Sequence, residues 1–96
     1  MKNTDLEQIH VLIVGLVQGV GFRYSTQQQA KIIGVSGWVR NTNEGSVEAV
    51  AEGTPEQIIQ FLKWCGQGPR SAKVDEVKVL KRSRITSPSH STFDHR

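Results

Sequence analysis

The chain has 96 residues, 36% of them hydrophobic and 22% charged, with 12 Lys and Arg against 9 Asp and Glu. That composition describes a folded chain with room for one core, which excludes a multidomain enzyme and a disordered segment, while a surplus of three positive charges favours anionic ligands but is too small to argue for nucleic acid. The single cysteine, Cys65, cannot close an internal disulfide and suits a reducing compartment.

Residues 8–15 read as a central strand, with Ile9, Val11 and Ile13 on one face and Leu12 and Val14 on the other. Its apolar run, Ile9 to Val14, is too short to cross a bilayer. Asp5 and Glu7 ahead of it, and the lack of a small-residue cleavage site behind it, argue against a signal peptide. The expected address is cytoplasmic, with no membrane attachment. The strand then runs into Gly15-Leu16-Val17-Gln18-Gly19-Val20-Gly21-Phe22-Arg23. Glycines let a backbone turn tightly and aim consecutive N–H groups at a ligand, and an arginine just beyond them supplies a forked cation suited to phosphate.

From Phe22 to Ile33 the positions Phe22, Thr26, Ala30 and Ile33 recur at helical spacing, and Gly34 offers a stop. Residues 36–42 and 46–53 alternate as two strands around the hairpin loop Asn43-Glu44-Gly45, with Val47, Ala49 and Ala51 sharing a face. Thr54-Pro55-Glu56-Gln57 spells a cap, a first-turn proline and a capping box. The helix it opens buries Ile58, Phe61, Leu62 and Cys65 and ends at Gly66 and Gly68-Pro69. Val74, Val77 and Val79 mark a fourth strand. The polar stretch from Ser83 to Arg96 is expected to be a loose tail or a short edge strand.

The order strand, helix, strand, strand, helix, strand is the split βαβ pattern of the ferredoxin-like α+β sandwich, an antiparallel sheet of four or five strands with both helices on one face. One domain is expected over residues 1–96, with 1–7 and 84–96 as loose or edge segments. A right-handed crossover makes the first two strands run the same way with the third between them, so their C-terminal ends lie about 10 Å apart, two strand spacings of about 4.8 Å. The glycine loop therefore meets Asn41, which ends the strand segment Gly37-Trp38-Val39-Arg40-Asn41-Thr42. Neither segment offers Asp, Glu, His, Cys, Ser or Lys, so no conventional base or nucleophile is on hand, with Glu44 only nearby.

Gly15 to Arg23 resembles the first signature of the acylphosphatase family, and Gly37 to Thr42, followed by Gly45, resembles its second. The similarity continues through Gly68-Pro69-Arg70-Ser71-Ala72-Lys73-Val74 and covers roughly residues 8–80, and the family shares the fold read above. It implies hydrolysis of acyl phosphates to a carboxylate and inorganic phosphate, without metal, cofactor or covalent intermediate. The implied phosphate site comprises Gln18, Gly19, Val20, Gly21, Phe22 and Arg23 through loop amides and the guanidinium; the implied catalytic residues are Arg23 and Asn41, the latter positioning the attacking water. The sequence departs from the family at His95, where an aliphatic residue is typical.

His10, His90 and His95 lack metal-like spacing and are expected in surface or packing roles; Cys65 is expected to be a buried small hydrophobe. Arg40 alternates with Asn41 and so faces the other side of the sheet. Trp38 and Trp64 read as packing residues, with Trp38 also placed to line an approach for the acyl group. Two other functions fit the same element order. An RNA-recognition domain needs aromatic residues on its central strands, and neither Ile9 to Val14 nor Ser46 to Glu52 has Phe, Tyr or Trp. A non-catalytic module binding acyl or carbamoyl phosphate, of the kind found inside larger maturation enzymes, would keep the same anion site. The expected partners are the acyl phosphate substrate and the phosphate product, with no nucleic acid or membrane, and the protein is expected to be a monomer.

Overall fold

The computed structural model describes residues 5–96. The elements run β1 (Leu6–Leu16), α1 (Phe22–Ile33), β2 (Ser36–Asn41), β3 (Val47–Gly53), α2 (Pro55–Gln67), β4 (Lys73–Ile85) and β5 (Phe93–His95). They form one five-stranded sheet in the order β4-β1-β3-β2-β5. β3 lies antiparallel to both β1 and β2, so β1 and β2 run in the same direction, as the crossover requires.

The alternation of each strand decides which face is covered. Ile9, Val11 and Ile13 of β1, Val39 of β2, and Val47, Ala49 and Ala51 of β3 are all fully buried. They share one cluster with Phe22 and Ala30 of α1 and with Ile58, Phe61 and Cys65 of α2. The opposite face of β1 has no helix on it, and Leu12 and Val14 are only half-buried. Thr54 caps α2 as its sequence reads: its hydroxyl accepts from the Gln57 amide at 3.2 Å, and the Gln57 side chain accepts from the Thr54 amide at 2.9 Å. Burial pushes the Cys65 thiol pKa well up, so it remains a neutral hydrophobe.

The C-terminal stretch is more ordered than its polar composition suggests. β4 continues to Ile85, and β5 adds to the free edge of β2 in parallel, with Gly37, Trp38 and Val39 opposite Phe93, Asp94 and His95. The sheet is therefore mixed rather than wholly antiparallel. The reason is geometric: the chain leaves β4 at one edge, crosses the end of the sheet where β3 finishes, and must then run alongside β2 in the same direction. Phe93 supplies the apolar anchor, 4% exposed and 5.9 Å from the Phe61 ring.

Glu52, at the end of β3, fixes that crossing. It is 2% exposed and accepts from Gln8 Nε2 at 2.6 Å, from the Ser89 amide at 2.8 Å, from the Ser89 hydroxyl at 2.9 Å and from the His90 amide at 3.1 Å. Burial alone would raise its carboxyl pKa, but the bonds from Gln8, Ser89 and His90 outweigh burial and hold it below the usual carboxylate range. A carboxyl depressed in the folded state stabilises fully above its unfolded pKa, and that contribution fades as pH falls through the folded value. Glu52→Gln is therefore expected to cost about 2 kcal/mol in urea unfolding at pH 7. The gap between variant and wild type should narrow from pH 5 to pH 2; a gap independent of pH would remove the charge from this account.

Candidate active site

The loop between β1 and α1 gathers at the end of the sheet where β1 and β2 finish. Val17, at 1% exposure, and Phe22, also at 1%, root it in the core on either side. Phe22 meets the edge of Trp64 at 5.3 Å, which fixes where α1 begins. Between these anchors Gly19 and Gly21 both have φ of 76°, the left-handed region that side chains disfavour, and a Cβ at either would touch nothing within 4 Å. Glycine is needed here for the backbone, not for space.

Gly21 is the N-cap of α1, and no side chain caps the helix behind it; its first turn also lacks an acidic residue. The first amides of α1 are thus left without a side-chain acceptor at the positive end of the helix dipole. A cavity of about 120 Å³ opens against them, lined by Val17, Gly19, Gly21, Phe22, Arg23, Tyr24, Asn41 and His95. Arg23 Nη1 donates to the backbone oxygen of Arg96 at 2.7 Å, which holds the guanidinium at the cavity while leaving its other N–H groups for an anion.

The second wall comes from the end of β2, where Asn41 faces Val47 of β3 across the start of the hairpin. Gln18 ties the two walls together, donating from Nε2 to the carbonyls of Thr42 and Ser46, each at 2.8 Å. Its side chain is thus committed to bracing. Val20 packs partly against the core, and its carbonyl accepts from the Ser71 hydroxyl at 3.1 Å. Of the residues expected to bind phosphate, Gly19, Gly21, Phe22 and Arg23 line the cavity; Gln18 and Val20 shape the loop around it.

His95 is the residue that sequence reasoning missed. It was read as a surface or packing histidine, yet β5 runs beside β2 and delivers it into the cavity wall with Arg23 and Asn41. The available signal was its departure from the aliphatic pattern of the family; without β5 in the sheet, nothing tied that position to the site. Glu44 is exposed and does not line the cavity. Among the described residues, no group of three or more His, Cys, Asp or Glu side chains is placed to hold a metal ion.

The protein is a ferredoxin-like βαββαβ sandwich with a small cavity at an uncapped helix N-terminus, walled by an arginine and an asparagine. Residues 9–94 match the family model described as Acylphosphatase, and the chain belongs to the acylphosphatase family. It is 43% identical over 77 residues to an acylphosphatase of Bordetella parapertussis, covering 80% of this chain and 82% of that protein. The solved acylphosphatase of Coxiella burnetii superposes with a TM-score of 0.84 at 36% identity, covering 96% of this chain and 94% of that one. HypF of T. kodakarensis superposes with a TM-score of 0.76 at 26% identity, covering 94% of this chain but 12% of that one.

The glycine geometry can be tested by a pair of substitutions with opposite signs. Gly21→Ala places a Cβ on a left-handed backbone and is expected to lower stability by about 1 to 2 kcal/mol. Gly66→Ala, in α2 with nothing within 4 Å of the new Cβ and no positive φ, is expected to raise it by about 0.5 to 1 kcal/mol. Urea midpoints of the two variants check both; equal effects would mean that the cradle conformation is not what glycine supports.

Proposed function

We propose that this chain hydrolyses acyl phosphates to a carboxylate and inorganic phosphate, with the phosphoryl group held in the cavity at the start of α1. The observation that carries the reading is the convergence of the uncapped N-terminus of α1, Arg23 and Asn41 on one cavity of about 120 Å³. Family membership supports the same chemistry.

The roles follow from what each group can do. Amides of the loop and of the first turn of α1 bind phosphoryl oxygens, and the guanidinium of Arg23 adds charge-assisted bonds to them. Phosphoryl transfer passes through a loose transition state with charge spread over the equatorial oxygens, so fixed donors aimed at those oxygens lower the barrier. The leaving group is a carboxylate with a pKa of about 4, which departs without a general acid. Asn41 holds the attacking water in line by its side-chain amide. That amide cannot accept the water's proton at neutral pH, and the proton passes to a phosphoryl oxygen of the substrate.

His95 supports a second route for that proton, because its imidazole lines the same cavity. The two routes separate by kinetics: a kcat against pH profile unchanged in His95→Gln keeps the substrate oxygen as acceptor, and loss of an ionisation in that variant reassigns the proton to the imidazole. The alternative, a non-catalytic module that keeps the same anion site, would show phosphate binding without turnover.

The buried lone Cys65, which has no internal partner for a disulfide, supports a cytoplasmic setting. A cavity completed by residues of one chain supports action as a monomer. Steady-state hydrolysis of benzoyl phosphate tests the function directly. Turnover insensitive to chelator is expected, with kcat/KM lower by about 10²-fold or more in both Arg23→Gln and Asn41→Ala. Unchanged turnover in folded Arg23→Gln would overturn the site.

A further inference from the structure

On the face of the sheet that carries no helix, an open depression of about 630 Å³ begins where the phosphate cavity ends. The two share Arg23 and Asn41, and the depression continues over Trp38, Arg40, Glu48 and Arg96. The alternation that turns Val39 and Asn41 toward the helices turns Trp38 and Arg40 the other way, and β5 adds Arg96 beside them. A group attached to phosphate at Arg23 and Asn41 has this depression as its exit.

The charges in the depression are uneven. Glu48 is committed: Arg40 donates to its Oε1 from Nε at 2.7 Å and approaches it with Nη2 at 2.6 Å, while His10 Nε2 meets its Oε2. Arg96 has its guanidinium 4.8 Å from the Trp38 ring centroid, and no ion pair found among the described residues engages it. Arg40 stands 5.7 Å from the same centroid. The floor is therefore an indole flanked by two guanidinium groups, with one carboxylate already bound. Arginine stacked on an aromatic ring keeps its in-plane N–H fork free, and that fork matches a carboxylate.

We propose that this depression is the acyl subsite of the enzyme and that Trp38 and Arg96 select acyl phosphates whose acyl half carries a second anionic group. The proposal rests on the acyl phosphate reading above. The acyl chain lies along Trp38, and the distal anion meets Arg96, which is held in place because its backbone amide donates to the Val39 carbonyl at 2.8 Å. Arg23 is kept for the phosphoryl end, so the two anions of one substrate occupy two arginines on opposite faces of the sheet edge.

The test compares 4-carboxybenzoyl phosphate with 4-methylbenzoyl phosphate, which share the ring and reacting bond and differ in the distal charge. In the wild type kcat/KM is expected to favour the carboxylated substrate by about tenfold or more, the scale of one charge-assisted contact. Arg96→Gln should cut that ratio about tenfold, and Arg96→Lys should restore part of it. Lys31→Gln removes the same charge from a residue outside the depression and should leave the ratio as it is. The contacts that Arg96 makes to Val39 and Arg23 use its backbone, so the side-chain variants retain them. A ratio that does not respond to Arg96→Gln, or a wild type indifferent to the carboxylate, would overturn the subsite while hydrolysis of 4-methylbenzoyl phosphate persists. Failure of the wild type to hydrolyse either substrate would instead overturn the acyl phosphate reading itself.

Discussion

The shared direction of β1 and β2, with β3 laid antiparallel between them, is the constraint on which the rest of the molecule depends. It brings the loop after β1 and the hairpin after β2 to one end of the sheet, although Asn41 lies 18 positions after Arg23 in the chain. A wholly local arrangement could not do this; a turn long enough to carry both groups would have to order its own backbone against about 1 to 2 kcal/mol of entropy per residue. Here the sheet has already ordered both segments, and the Gln18 amide needs only to join two rims that the core has placed. The walls of the cavity leave the core at Val17 and Phe22, both buried.

The site takes its chemistry from the backbone more than from side chains. α1 starts at a left-handed glycine and has neither a capping side chain nor an acidic first turn, whereas α2 starts at a full capping box. Two helices in one small protein thus treat the same unsatisfied amides in opposite ways. In α2 they are satisfied internally and contribute stability. In α1 no side chain accepts from them, and the folded chain forgoes the roughly 1 kcal/mol that a cap supplies. That asymmetry agrees with the proposed chemistry, in which a good leaving group asks for charge stabilisation and water placement rather than strong acids and bases.

Much of this was legible in the sequence because the relevant signals are local. The capping box at Thr54, the period of Phe22, Thr26 and Ala30, and the alternation of Val47, Ala49 and Ala51 each report on a few neighbouring residues, and the structure keeps them. The convergence of Arg23 and Asn41 needed only the handedness rule for crossovers in addition. What stayed hidden depends on contacts across long stretches of chain. Glu52 sits in an alternating strand as an outward residue, and its burial is explained by distant partners: Ser89 and His90, 37 and 38 residues away, and Gln8, 44 residues away. The sequence left open whether the C-terminal stretch was a loose tail or a short edge strand, since three residues carry no period; the packing of Phe93 on Phe61 accompanies the edge strand that forms.

β5 has a further consequence for the edge of β2. Without it, β2 would present free N–H and C=O groups at an open edge, a standing invitation to aberrant pairing. The backbone of β5 closes that edge, Phe93 packs into the core, and Gln27 of α1 donates from Nε2 to the Phe93 carbonyl at 3.1 Å. Of the other side chains of the segment, Asp94 accepts from the Thr92 hydroxyl at 2.8 Å, His95 lines the cavity at the start of α1, and Arg96 lies over the Trp38 ring. The segment that covers the edge of β2 thus also brings His95 to the cavity at the start of α1 and Arg96 to the depression on the other face of the sheet.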